Sequence, residues 1–182
     1  MNYDEALQWH KTLLSAISLM MQPKCFLELG LWYAPAMRDL ALNCKEMHGV
    51  DSQHYPDFVP SNATIHKMTT DEFFAGPGKT VTPPDLVFVD ADHRSSQVMR
   101  DLENIAMIAA ENCVVAIHDT YPSGPEFTVE GHCADSYKVP DMLIWEHVTL
   151  PFPPGLTLCR MHPRSRVRAR ALIRNSRGRG TS

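Results

Sequence analysis

The spacing of apolar residues changes several times along the chain, and each change marks an element. Over residues 4–21, Ala6, Leu7, Leu13, Leu14, Ile17, Met20 and Met21 recur at helical spacing, and Pro23 ends the pattern. The chain therefore opens on an amphipathic helix. Cys25-Phe-Leu-Glu-Leu-Gly30 reads as a short buried strand closed by a turn. Pro35 then suits the first turn of a helix that runs to about Leu42. Residues 47–50 form a second strand ending at Asp51, and residues 63–66 a third. Thr69-Thr-Asp-Glu-Phe-Phe74 follows with the capping-box arrangement of a helix start.

Asp85-Leu-Val-Phe-Val-Asp90 lies between Pro83-Pro84 and a cluster of carboxylates, as a strand buried on both faces should. A long helix over about residues 95–110 leads to a fifth buried strand, Cys113-Val-Val-Ala-Ile117, closed by His118-Asp119. Strands alternating with helices imply right-handed crossovers and a parallel sheet. Residues 145–150, a Pro/Gly turn and residues 156–160 read as a hairpin that adds an antiparallel edge. The expected fold is α/β, a Rossmann-like, doubly wound, mostly parallel sheet with an antiparallel C-terminal hairpin strand. Residues 120–139 have the composition of a long loop over the crevice.

At 182 residues, with 44% hydrophobic and 21% charged content, the chain suits one domain over residues 1–162. The net charge of −4 conceals an asymmetry: residues 163–182 hold seven arginines and no acid, so the remainder carries all 21 acidic residues against ten basic ones. The tail reads either as a solvated extension or as a contact for nucleic acid, a membrane surface or an acidic partner. No apolar run reaches the roughly 18–20 residues that cross a bilayer, and residues 1–20 carry charges where a signal peptide is apolar. The expected location is cytoplasmic. The five cysteines are odd in number, widely spaced and without a CxxC pair, which implies reduced, buried thiols. Self-association into a homo-oligomer stays open.

In open α/β sheets the ligand lies outside the carboxyl ends of the strands, where the strand order reverses. The polar residues there are Glu28, Gly30, Asp51, Asp90, Asp92, His93, His118 and Asp119. Asp51 follows the Gly30 turn by 21 residues, a spacing that suits ribose hydroxyls. The turn itself, Gly30-Leu-Trp-Tyr-Ala-Pro-Ala36, lacks the glycines of a pyrophosphate-binding loop, so a nucleoside without phosphate fits better. Asp90, His118 and Asp119 offer a divalent ion two carboxylates and an imidazole, with Asp92 able to join or replace one of them. Plainer readings stand beside these. Glu28 and Asp51 can cap turns, Asp90, Asp92 and His93 can form a polar turn before a helix, and His118 and Asp119 can be a hydrogen-bonded pair. Trp32 and Tyr33 read as packing residues beside the pocket, and Met20, Met21, Met37 and Met68 as core fillers.

Phe26-Leu-Glu-Leu-Gly-Leu-Trp-Tyr-Ala-Pro-Ala36, Gly49-Val-Asp51, Asp85-Leu-Val-Phe-Val-Asp-Ala-Asp-His93 with Asp101-Leu102, and Ala116-Ile-His-Asp-Thr120 together resemble the class I S-adenosylmethionine-dependent methyltransferases. The similarity is to the small, often metal-dependent O-methyltransferases, and it spans about residues 13–160. It implies that Glu28 and Gly30 line the methionine end of the cofactor, that Asp51 holds its ribose and that Asp90 borders the same site. It also implies a divalent metal such as magnesium at Asp90, His118 and Asp119, with His93 and Asp90 catalytic, His93 as the general base. The expected partner is a small hydroxylated acceptor. Ala34 and Pro35 stand where the family usually has glycine. Two other functions are open: an inactive fold serving as a structural or assembly protein, and a nucleic-acid methyltransferase guided by the arginine tail. The Asn/Asp-Pro-Pro-Tyr type of motif that the latter would carry is absent at Asp90-Ala-Asp-His93.

Overall fold

The computed structural model describes residues 3–32 and 35–161, with side chains from Trp9 onward. Tyr33, Ala34 and the arginine-rich tail lie outside the described residues. Twelve elements follow in chain order: α1 (Tyr3–Met21), β1 (Cys25–Leu29), α2 (Pro35–Leu40), β2 (Glu46–Val50), β3 (Ala63–His66), α3 (Thr70–Ala75), β4 (Leu86–Val89), α4 (Ser95–Ile108), β5 (Val114–His118), α5 (Val139–Met142), β6 (Glu146–Leu150) and β7 (Leu156–Arg160). The strands form one sheet in the order β3-β2-β1-β4-β5-β7-β6. β1 to β5 pair in parallel, while β7 runs antiparallel to both β5 and β6.

Period-two alternation sorts the strand residues onto two cores. Phe26, Leu86, Phe88 and Ala116 face α1 and α2, where they pack with Leu14, Ile17, Met37 and Leu40. Leu27, Leu29, Val87, Val89, Val115 and Ile117 face α3 and α4, against Phe73, Phe74, Val98, Leu102 and Ile105. The central strands are therefore buried on both faces, which explains the unbroken apolar runs of β4 and β5, while β1 carries one buried acid, Glu28. The strand order reverses between β1 and β4, so the crevice lies at their carboxyl ends. α3 begins as its sequence predicts: the Thr69 hydroxyl accepts from the Glu72 N–H, and the Glu72 carboxylate accepts from the Thr69 N–H.

The C-terminal hairpin inserts in the opposite sense from a simple added edge. β7, with Leu156, Thr157 and Cys159 buried, takes the inner place beside β5; β6, with Glu146, His147 and Val148 exposed, takes the edge. The more apolar strand gains more from being covered on both sides. Residues 120–138 are not structureless, since they hold two short 3₁₀ turns, Pro125–Phe127 and Ser136–Lys138, before α5. All five cysteines are free and buried. Met37 is fully buried and Met68 packs partly buried against the core, but Met20 is 78% exposed and Met21 is also exposed, so those two are not core fillers. They follow Ile17 on the last turn of α1.

Candidate functional site

Two corners of the crevice carry the polar strand ends. At the first, Asp51 closes β2 and ties two loops together. Its Oδ2 accepts from the Leu31 N–H at 2.9 Å, and its Oδ1 accepts from the N–H groups of Gln53 at 2.7 Å and His54 at 2.8 Å. Burial disfavours its charge, but the amides of His54, Leu31 and Gln53 more than offset this and lower its pKa. A carboxylate offers about four acceptor positions, and three are taken here. Glu28 is buried on the α1 and α2 side of β1, with Oε2 lacking any partner. Burial, then the charge of Asp90, hold its pKa well above the ordinary range, against a hydrogen bond from the Met37 amide.

Gly30 joins the two corners. Its φ is +84°, and a Cβ there would lie 2.1 Å from the Asp90 carbonyl oxygen. Only glycine lets the turn after β1 pass so close to the end of β4. Trp32, two residues on, also sits in the left-handed region at φ +48°, a strained conformation for a bulky residue. It is 63% exposed, and its ring centroid lies 5.0 Å from that of His54.

At the second corner, Asp90 follows β4, His118 ends β5, and Asp119 and His93 face them. His118 Nδ1 lies 3.0 Å from Asp90 Oδ1 and 3.4 Å from Asp119 Oδ2. His93 Nε2 lies 3.4 Å from Asp90 Oδ1 and 3.1 Å from Asp119 Oδ2. One ligand atom each from Asp90, His93 and Asp119 falls within 4.8 Å of the others. Oxygen donors with imidazole suit a divalent cation, so the residues present fit such an ion. Asp119 reaches inward because it adopts φ +59°, a left-handed conformation that aspartate tolerates.

The charges there hold one another. Burial disfavours the Asp90 carboxylate, yet His118 and His93 keep its pKa well below the usual range. Burial likewise opposes a charge on His93, but its hydrogen bond to Asp90 and the charges of Asp119 and Asp90 raise it to about 9. His118 is raised well above its ordinary value by Asp90 and Asp119 in spite of burial.

Of the residues expected from sequence, Asp90, His93, His118 and Asp119 are brought together, while Glu28, Gly30 and Asp51 form the neighbouring corner. Asp92 stands apart: it accepts from the Arg94 backbone N–H at 2.9 Å and pairs with the Arg94 guanidinium, which is the polar-turn reading. Sequence reasoning missed two contributors. Asp135 caps α4 from the loop, its Oδ1 accepting from the Ser95 N–H at 2.6 Å and its Oδ2 from the Ser95 hydroxyl at 2.9 Å. The adjacent His132 carbonyl accepts from His93 Nδ1, and the Cys133 thiol donates to Asp119 Oδ1 at 3.5 Å. The other is His10 of α1, whose Nδ1 lies 2.7 Å from His118 Nε2. His10, Leu14 and Ile17 form one helical stripe, a signal that could have marked His10 as inward-facing.

The family model described as Methyltransferase domain matches residues 27–120, more than half of the chain, and the chain belongs to that family. Its fold is also that of solved S-adenosylmethionine- and S-adenosylhomocysteine-bound methyltransferases. No curated protein matches its sequence. Among solved structures, it is similar to the O-methyltransferase TomG from Streptomyces achromogenes, involved in tomaymycin synthesis and solved with S-adenosylmethionine (TM-score 0.64, 15% identity, 84% of this chain and 79% of that one). It is similar also to an O-methyltransferase from Bacillus cereus in complex with S-adenosylhomocysteine (0.66, 13%, 87% and 89%). The N-methyltransferase NodS from Bradyrhizobium japonicum shares the fold as well (0.62, 17%, 88% and 97%).

Proposed function

We propose that the protein transfers a methyl group from S-adenosylmethionine to a hydroxyl of a small acceptor, in the cytoplasm. The observation that carries this reading is the convergence of Asp90, His93, His118 and Asp119 directly beside the Glu28, Gly30 and Asp51 corner, with Gly30 packed on the Asp90 backbone. The partnerless Glu28 Oε2 and the remaining acceptor position of Asp51 fit a cofactor with a methionine end and a ribose. Bound there, the cofactor supplies an electrophilic methyl. Asp90 and Asp119, with the Nδ1 of His118 3.0 and 3.4 Å from their oxygens, would hold a divalent ion such as magnesium, which would lower the pKa of an acceptor hydroxyl; His93, whose Nε2 faces the same carboxylates, would be left to the proton. Five buried, free thiols are in keeping with a reducing compartment. Among the described residues, no helix is long and apolar enough to cross a membrane.

His93 is the residue placed to take the hydroxyl proton, through Nε2, because its Nδ1 is spent on the His132 carbonyl. While Asp90 and Asp119 both face it, His93 is a cation near neutral pH. It serves as a base only once those carboxylates are engaged elsewhere. Holding acceptor and cofactor in line at this end of the sheet supplies much of the acceleration. The alternative of an inactive scaffold is not favoured, since a structural protein gains little from gathering four ionisable groups out of water. The test is a screen of hydroxylated acceptors, sugars and catechols among them, with labelled S-adenosylmethionine. Transfer that chelation abolishes and magnesium restores is expected; transfer that survives both chelation and His93→Ala would overturn this chemistry.

A further inference from the structure

We infer that His10, on the N-terminal helix, is a positioning residue that fixes the ring of His118 and keeps its Nδ1 on the Asp90 and Asp119 carboxylates. The inference rests on the reading of Asp90, His118 and Asp119 as the reacting cluster.

The geometry follows from the sheet. Ala116 and His118 alternate onto the α1 side of β5, where Ala116 joins the α1 core and the His118 ring packs against Phe88. His10 meets it there, its ring centroid 4.5 Å from that of His118 at 89°. Both rings are buried, at 2% and 5% exposure. Trp9, packed edge-on against Phe152, pins this turn of α1 over the hairpin loop.

A contact between two imidazole nitrogens needs one donor and one acceptor. The Nε2 of His10 is buried with no hydrogen-bond partner, and the Phe152 backbone acts on the ring as a carbonyl, which can only accept. A proton on His10 Nε2 is compatible with that carbonyl, whereas a lone pair there would face another lone pair. His10 Nδ1 is then the acceptor, and His118 Nε2 carries the proton given to it. His118 Nδ1 is left facing Asp90 and Asp119, the orientation in which an imidazole neutralises them or joins them around a cation. Buried partners of this kind set the tautomer and orientation of a functional histidine, and losing one lowers activity or metal affinity by roughly 10–100-fold.

The test uses the full-length protein with ¹⁵N-labelled histidine and three forms: wild type, His10→Phe and His10→Asn. Phenylalanine fills the space without an acceptor; the asparagine amide oxygen restores one close to the Nδ1 position. In the wild type, the histidine side-chain spectrum should show His118 protonated at Nε2. That proton should lose its exchange protection in His10→Phe and keep it in His10→Asn. In methyl-transfer assays His10→Phe should lower kcat by roughly 10–100-fold with KM for the cofactor nearly unchanged, and His10→Asn should recover most of the loss. An unprotonated Nε2 in the wild type, or a His10→Phe enzyme with unaltered kcat, would overturn the inference. If the wild type transfers no methyl group to any acceptor, the functional reading fails, and the wild-type spectrum still decides the role of His10 without a variant.

Discussion

The two corners of the crevice use carboxylates in opposite ways. At the end of β2, Asp51 is surrounded by backbone amides, which have nowhere else to go once the flanking loops have folded. At the ends of β4 and β5, Asp90 and Asp119 are surrounded by side chains, His93 and His118, that reach them from separate segments. A backbone-built site comes preorganised with the fold and suits holding a ligand. A site of mutually compensating charges suits chemistry, since each proton or cation added or removed changes every partner. Substitution at one corner should therefore affect binding, and at the other, turnover.

The largest effect is expected at the charge cluster. Asp119→Asn should lower methyl transfer by roughly 10²–10⁴-fold, the scale of a lost positioned acid–base group, with cofactor affinity nearly intact in calorimetry. A parallel loss of cofactor affinity would merge the two corners into one. Next, Asp51→Ala should weaken cofactor binding by roughly tenfold or more, as a lost charge-assisted hydrogen bond does, and leave kcat at saturation little changed. Because the Leu31, Gln53 and His54 amides lose their acceptor too, its melting temperature should also drop.

A smaller effect sharpens the contrast with an acid in the core. Asp101 on α4 is fully buried and accepts from Gln97 Nε2 at 3.1 Å; burial raises its pKa to about 6. Its folded-state pKa lies above the unfolded value, so the stability it brings is present at low pH and is lost as pH rises from about 4 through 6. Asp101→Asn should remove that part of the decline and stabilise the protein at neutral pH by roughly 1–3 kcal/mol relative to wild type, measured by urea melts at both pH values. The smallest effect belongs to Asp135→Ala, which removes the cap of α4 and should lower stability by about 1 kcal/mol. It should also lower kcat modestly by loosening the segment that carries His132 and Cys133.

The strand ends were legible in the sequence because buried parallel strands leave unbroken apolar runs, and the first polar residue after each run lies at the crevice. Asp51, Asp90 and His118 are found in this way, whereas Glu28 lies one residue before the end of β1, inside the strand. The hairpin was legible as a hairpin but not in its insertion order, which depends on which of two adjacent strands has more apolar surface to cover. Contacts between distant segments were not legible. His10 lies on a plain helical stripe, but its partner is 108 residues away, and Asp135 caps a helix that begins 40 residues earlier. The separation of Asp92 from Asp90 turned on the neighbouring Arg94, a local pairing that competes with any ligand for the same oxygens. The arginine tail lies outside the described residues.

The division of labour between the corners is tested most directly by calorimetric titration of S-adenosylhomocysteine into wild-type protein, Asp51→Ala and Asp119→Asn under one set of conditions. One site of comparable affinity is expected in wild type and Asp119→Asn, with affinity reduced roughly tenfold or more in Asp51→Ala. Absence of binding heat from folded wild-type protein at ligand concentrations on the order of hundreds of micromolar, or equal losses in both variants, would contradict it.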